Sequence, residues 1–134
     1  MARINVAGAG SESQEQACLI SWWHLAGPKL APNVVLAAIP NGGARDAITG
    51  ARLKREGVVK GMPDMLLACA RSGKHGLFIE LKRQRGGRLS ESQRELFPLL
   101  EAQGYGVAVC RGWLSASDAI KAYLAGHWEA SHAF

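Results

Sequence analysis

The sequence predicts an α/β domain in which a central mixed sheet is flanked by helices. Three observations carry that prediction. Short apolar runs of strand length recur at Val34–Ile39, Met65–Ala70, Leu77–Leu81 and Tyr105–Cys110. Amphipathic stretches, most of them opened by capping residues, lie before, between and after these runs. The chain has 134 residues, 48% of them hydrophobic and 20% charged, and no segment is compositionally extreme, so one core forms without staples. The expected organisation is an N-terminal arm over residues 1–10, a folded domain over 11–126 and a tail over 127–134.

Taken in order, Met1–Gly10 reads as a flexible arm without the basic-then-apolar layout of a signal peptide. Ser11-Glu12-Ser13-Gln14 spells a capping box. Ala17, Ile20, Trp22, Trp23 and Leu25 then continue a helix that Gly27-Pro28 is expected to end. Val34–Ile39 is a strand stopped by the turn signal Pro40-Asn41-Gly42-Gly43. Ala44–Glu56 alternates Arg45, Arg52, Lys54 and Arg55 with apolar residues, as a basic helix capped by Gly57. The two central strands, Met65–Ala70 and Leu77–Leu81, are joined by the polar loop Arg71–Gly76, in which His75 reads as solvated rather than as a general base. Arg83–Arg88 is a glycine-containing basic loop. Ser90-Glu91-Ser92-Gln93 spells a second capping box. Its helix should reach about Gln103 with a kink at Pro98, whose ring clashes with the Arg94 carbonyl. After the Tyr105–Cys110 strand, Ser115-Ala116-Ser117-Asp118 is expected to cap a last helix. Trp128 in the tail packs on a core or a partner.

Several function classes drop out. No apolar run approaches the roughly 20 residues that span a membrane. Cys18, Cys69 and Cys110 are odd in number, far apart and set in apolar runs, which suits core thiols in a reducing compartment; no CxxC pair suggests zinc. No phosphate-binding GxxxxGK[ST] loop or repeat is present. A net charge of +5 favours a polyanionic partner. Trp22, Trp23 and Trp113 lie outside any basic-aromatic alternation and read as core or dimer packing rather than base stacking.

The chemistry concentrates around the two central strands. Asp64 begins one run, while Glu80 and Lys82 interrupt the end of the other. Side chains alternate along a strand, so Phe78, Glu80 and Lys82 share one face, and Leu77, Ile79 and Leu81 the other. Opposite charges on so apolar a strand are costly to bury unless paired. A divalent metal and a phosphate would pair with them. Asp64 and Glu80 offer the hard oxygen ligands that magnesium prefers, and Lys82 would face an anionic substrate.

Pro63-Asp64, a gap, and Glu80-Leu81-Lys82 resemble the PD-(D/E)XK nuclease motif. The surrounding text is more specific: Gly57-Val58-Val59-Lys60-Gly61-Met62-Pro63-Asp64, Gly76-Leu77-Phe78-Ile79-Glu80-Leu81-Lys82, then Gly87-Arg88-Leu89-Ser90 and Gln93. It resembles the VRR-NUC (virus-type replication-repair nuclease) family, most clearly from Pro40 to Arg111. That resemblance implies a restriction-endonuclease-like fold and an Mg2+- or Mn2+-dependent endodeoxyribonuclease. Its implied substrate is branched DNA such as four-way (Holliday) junctions, cut by a homodimer in the cytoplasm of a bacterial or phage-infected cell. It implies Asp64, Glu80 and the Leu81 carbonyl as metal ligands, with Lys82 acting on the attacking water or the phosphate. A first-helix acid should approach the metal; Glu12, with Gln16 at i+4, is the choice and Glu15 the competitor. Gln93 has both a capping role and an implied place near the site. Arg45, Lys60, Arg83, Arg85 and Arg88 are the expected contacts to the DNA backbone. The alternatives are a non-catalytic DNA-binding module, against which the intact Asp64, Glu80 and Lys82 weigh, and an RNA-directed nuclease, which the motif does not exclude.

Overall fold

A computed structural model describes residues 10–40 and 47–130. Its elements run α1 (Glu12–Leu30), β1 (Val35–Ala38), α2 (Ala47–Arg55), β2 (Met65–Ala68), β3 (Leu77–Lys82), α3 (Glu91–Ala102), β4 (Gly106–Arg111) and α4 (Trp113–Leu124). The four strands lie in the order β1-β2-β3-β4. β1–β2 and β2–β3 pair antiparallel, whereas β3–β4 is parallel, with Leu77 opposite Gly106 and Lys82 opposite Arg111. A parallel pair needs a crossover, and α3 provides it.

The expected alternation along β3 is realised, and all six of its residues are buried. Leu77, Ile79 and Leu81 join Leu19 and Trp23 of α1 and Ala116, Ile120 and Tyr123 of α4 in the larger core. Phe78 packs on the other face with Phe97 of α3 and Val107 of β4. β3, like β4, therefore has helices on both sides, which is why both of its faces are apolar up to Glu80. Trp23 and Trp113 are buried in the larger core, with Trp22 and Trp128 packed against it. The tryptophans thus serve the core, and Trp128 holds the chain after α4 by an edge-on contact with Tyr123. Cys110 is buried, while Cys18 and Cys69 are partly buried against the same core. Among the described residues no helix is long and apolar enough to cross a membrane.

Helix ends depart from expectation in two places. α1 does not stop at Gly27-Pro28 but continues through Pro28 to Leu30. His24, whose carbonyl Pro28 leaves without a helical donor, is exposed, which lets solvent stand in for the missing N–H. The Ala31 N–H then closes the helix on the Gly27 carbonyl at 2.8 Å. α4 starts at Trp113, two residues before the expected cap at Ser115. Its N-terminal donor is satisfied from a distance: the Trp113 N–H donates to Glu15 Oε2 at 2.6 Å. Local spelling could not show this, because the acceptor comes from α1.

Elsewhere the local signals hold. Ser11 and Gln14 form the first capping box and Ser90 and Gln93 the second. α2 closes as expected at Gly57, where φ is +99. The Gly57 N–H donates to Lys54 O and the Val58 N–H to Leu53 O, the paired bonds of a Schellman cap. α3 runs through Pro98, which sits on its exposed side next to the buried Phe97.

Glu15 is 2% exposed, and its second oxygen accepts from Gln84 Nε2 at 3.3 Å. Removing it leaves a buried N–H without a partner. Glu15→Ala should destabilise the fold by about 1–3 kcal/mol in urea unfolding. Glu15→Gln retains one acceptor oxygen and should recover part of that loss. Equal stability of all three proteins would refute the capping role.

Candidate active site

Asp64 immediately precedes Met65, which lies opposite Ile79, so the antiparallel pairing sets Asp64 beside Glu80. Its carbonyl accepts the Ile39 N–H at 2.7 Å, and its Oδ2 accepts the Leu81 N–H at 2.7 Å. A side-chain oxygen has taken over a β3 donor where the ladder to β2 ends. That bond fixes the carboxylate against the strand carrying the other two motif residues.

Glu80 and Lys82 are 2% and 7% exposed. Lys82 Nζ lies 3.2 Å from Glu80 Oε2 and donates to Gln93 Oε1 at 3.1 Å. The same Gln93 oxygen accepts the Ser90 N–H at 2.9 Å. One amide therefore closes the capping box of α3 and holds the lysine. The cap and the lysine contact thus share a single Gln93 oxygen.

These side chains line an open cleft of about 1020 Å³ that also receives Glu12 and Gln16 from α1. Glu12 is close enough to raise the Asp64 carboxyl further, whereas Glu15 is buried as the cap of α4. Of the two first-helix acids, Glu12 is the one at the cleft. Gly61 at the cleft wall has φ +92, and a Cβ there would lie 2.9 Å from the Ser92 backbone. Only glycine lets this turn pass so close to the start of α3.

Burial, above all, raises the Asp64 carboxyl, against the pull of the Leu81 N–H. Burial and then the neighbouring Asp64 push Glu80 up to about 7, against the pull of Lys82. Glu80 Oε1 is buried without a hydrogen-bond partner. A hard divalent cation suits this arrangement, since it would neutralise two crowded carboxylates and take the orphaned oxygen. Among the described residues no group of three or more His, Cys, Asp or Glu side chains could hold an ion. One or two carboxylates completed by waters and substrate oxygens is nevertheless the usual magnesium pattern.

The expected substrate-facing cations are distributed unevenly. Arg45 lies outside the described residues. Lys60 is exposed beside Gly61, and Arg83, Arg85 and Arg88 are all exposed in the loop after β3. His75 lies in the β2–β3 loop, at the opposite end of β3 from the carboxylates, with its ring edge-on to Tyr105. Sequence reasoning missed Arg111. Opposite Lys82 on β4, it donates through Nη2 to Gly87 O at 2.7 Å and through Nη1 to Arg83 O at 3.2 Å. Together with the Gln84–Glu15 bond, it holds the basic loop by its backbone and leaves the loop arginines exposed. Nothing in the spelling Cys110-Arg111-Gly112 signals this, because the strand register creates it.

Residues 10–113 match the family model of the VRR-NUC domain. Among solved structures, one described as "VRR_NUC domain protein" superposes with a TM-score of 0.70 over 91% of this chain and 95% of its own, at 23% identity. That likeness speaks for the fold. No curated protein matches.

The charge crowding has a pH consequence. In the metal-free fold Glu80 holds its proton up to about 7, whereas an unfolded glutamate releases it near 4.5. Its contribution to stability is therefore fully present below about 4.5 and lost as pH rises to about 7. In EDTA the protein should lose stability on the order of 1–3 kcal/mol between pH 4.5 and pH 7.5. Asp64→Asn keeps an acceptor for the Leu81 N–H and removes one charge, so the loss should shrink. Calorimetry showing the same pH dependence in both proteins would exclude the coupling.

Proposed function

The chain belongs to the VRR-NUC family, a family of nuclease type, and on that premise we propose that it is a divalent-metal-dependent endonuclease that hydrolyses phosphodiester bonds in branched DNA, four-way junctions included. The observation that carries the reading is the meeting of Asp64, Glu80 and Lys82 in one open cleft, with a buried Glu80 oxygen lacking a partner. Asp64, Glu80 and the Leu81 carbonyl would hold Mg2+ or Mn2+. When bound, the ion would supply Lewis acidity and charge neutralisation at the scissile phosphate.

The chain's own residues do the rest. Gln93 and Glu80 occupy two donor positions of the Lys82 ammonium and leave a third for the substrate. Lys82 is thus pre-oriented to hydrogen-bond the attacking water or the phosphoryl oxygens, where negative charge grows as the P–O bond breaks. Glu12 adds a carboxylate at the cleft mouth that can orient water. Arg83, Arg85 and Arg88 hold the DNA backbone on one side of the cleft, presented by Arg111. One Asp64–Glu80–Lys82 motif per chain gives one cut, so paired cuts at a junction require a two-fold homodimer.

The direct test is a panel of duplex, flap and four-way junction DNA, with matched RNA, incubated with magnesium or manganese. Asp64→Asn and Glu80→Gln should abolish cleavage and the metal-induced rise in melting temperature. Wild-type turnover by either would sink the site. Lys82→Ala should slow cleavage roughly tenfold or more while substrate binding changes little. A variant losing affinity and retaining rate would make Lys82 a binding residue only.

The basic loop gives a separate readout. Replacing Arg83, Arg85 and Arg88 by Ser should flatten the dependence of log affinity on log salt by roughly 0.9 for each lost phosphate contact. An unchanged slope would mean that the loop arginines face only solvent.

A further inference from the structure

α2 is the least explained element of the fold. None of its residues is buried, and Ile48 is 84% exposed. A nine-residue helix with Gly50 near its centre is too short to be stable through propensity alone. It nevertheless ends in a complete Schellman cap. A helix so carefully terminated, yet burying no face of its own, is built to present a surface.

Position and charge identify what that surface meets. In the chain α2 falls between Pro40 and Gly61, and both of these residues line the cleft. Over residues 47–60 there are four cations, Arg52, Lys54, Arg55 and Lys60, against the single anion Glu56. Ile48, Arg52 and Arg55 fall at i, i+4 and i+7, on one stripe of the helix. Ala51 lies beside that stripe and lets a partner approach closely. A second copy of this chain would set two such cationic stripes face to face, so self-association through α2 is disfavoured. A polyanion is the complementary partner. An exposed aliphatic among phosphate-binding cations is the arrangement that wedges apolar side chains against unstacked bases.

We propose that α2 is a substrate-recognition helix, with Arg52 and Arg55 on DNA phosphates and Ile48 against an unstacked base at the branch point. The inference rests on the nuclease reading of the cleft and adds to it the element that selects branched over plain duplex DNA.

The experiment compares wild type, Arg52→Gln/Arg55→Gln, the charge-preserving Arg52→Lys/Arg55→Lys and Ile48→Ala. Affinity for a four-way junction and for linear duplex is followed by anisotropy in EDTA across a salt series, and KM for cleavage in magnesium. The double Gln variant should lower the salt slope by about 1.8, from roughly 0.9 per phosphate contact, and the Lys pair should restore it. Ile48→Ala should keep the slope and lose threefold or more of the junction-over-duplex preference. A 2-aminopurine placed at the branch should change fluorescence with wild type and not with Ile48→Ala. Each variant should retain the metal-induced rise in melting temperature, which reports an intact fold and cleft. If wild type binds and cuts while both sets of variants keep its slope, KM and preference, α2 is not a recognition element and the nuclease reading stands. A wild type that neither binds nor cuts brings down both readings. Variants unchanged on DNA but weakened on anionic lipid vesicles would overturn the proposal in favour of a lipid surface.

Discussion

The structure depends on one costly arrangement: a glutamate and a lysine two residues apart at the end of a strand buried along its whole length. A buried ion pair is a poor source of stability, because desolvation offsets most of its attraction. Here the 3.2 Å contact and the Gln93 bond leave one Glu80 oxygen without a partner, and Asp64 brings a further negative charge beside it. A core selected for stability alone would place apolar residues there. Charges held at such cost in an open cleft are typical of sites whose missing partners are ligands.

The surrounding elements can be understood as supports for that end of β3. The antiparallel neighbour delivers Asp64 and ties it to the Leu81 amide; the parallel neighbour delivers Arg111, which braces the loop leaving β3. α1 and α3 both begin at the cleft, each through a capping box that places its first turn. Helix N-termini present unpaired N–H groups and positive dipole ends, a setting suited to phosphate.

Glu15 links the supports together. Its carboxylate caps α4 and accepts from Gln84, so α1, α4 and the basic loop meet at one buried side chain. This separates the two acids of the first helix by function. Glu12, three residues earlier and nearly a full turn away, reaches the cleft, while Glu15 works inside the fold.

By itself the sequence determined whatever is encoded locally. The period-two run Leu77–Lys82 specified a strand with Glu80 and Lys82 on one face, and the Ser11 and Ser90 capping boxes specified where two helices start. Gly57 specified where a third one ends, and the stretches Gly57–Asp64, Gly76–Lys82 and Gly87–Ser90 with Gln93 carried the family resemblance. Only the tertiary structure decided what arises between segments distant in the chain. Glu15 as the cap of α4, Arg111 as the brace of the basic loop and the Asp64–Leu81 bond each depend on strand order and register, to which neither partner's neighbours contribute a signal. The passage of α1 through Pro28 depended likewise on a three-dimensional fact, namely that His24, the residue whose carbonyl loses its helical donor, is exposed. Local chemistry fixes propensity and pattern, and packing decides which distant donor meets which acceptor.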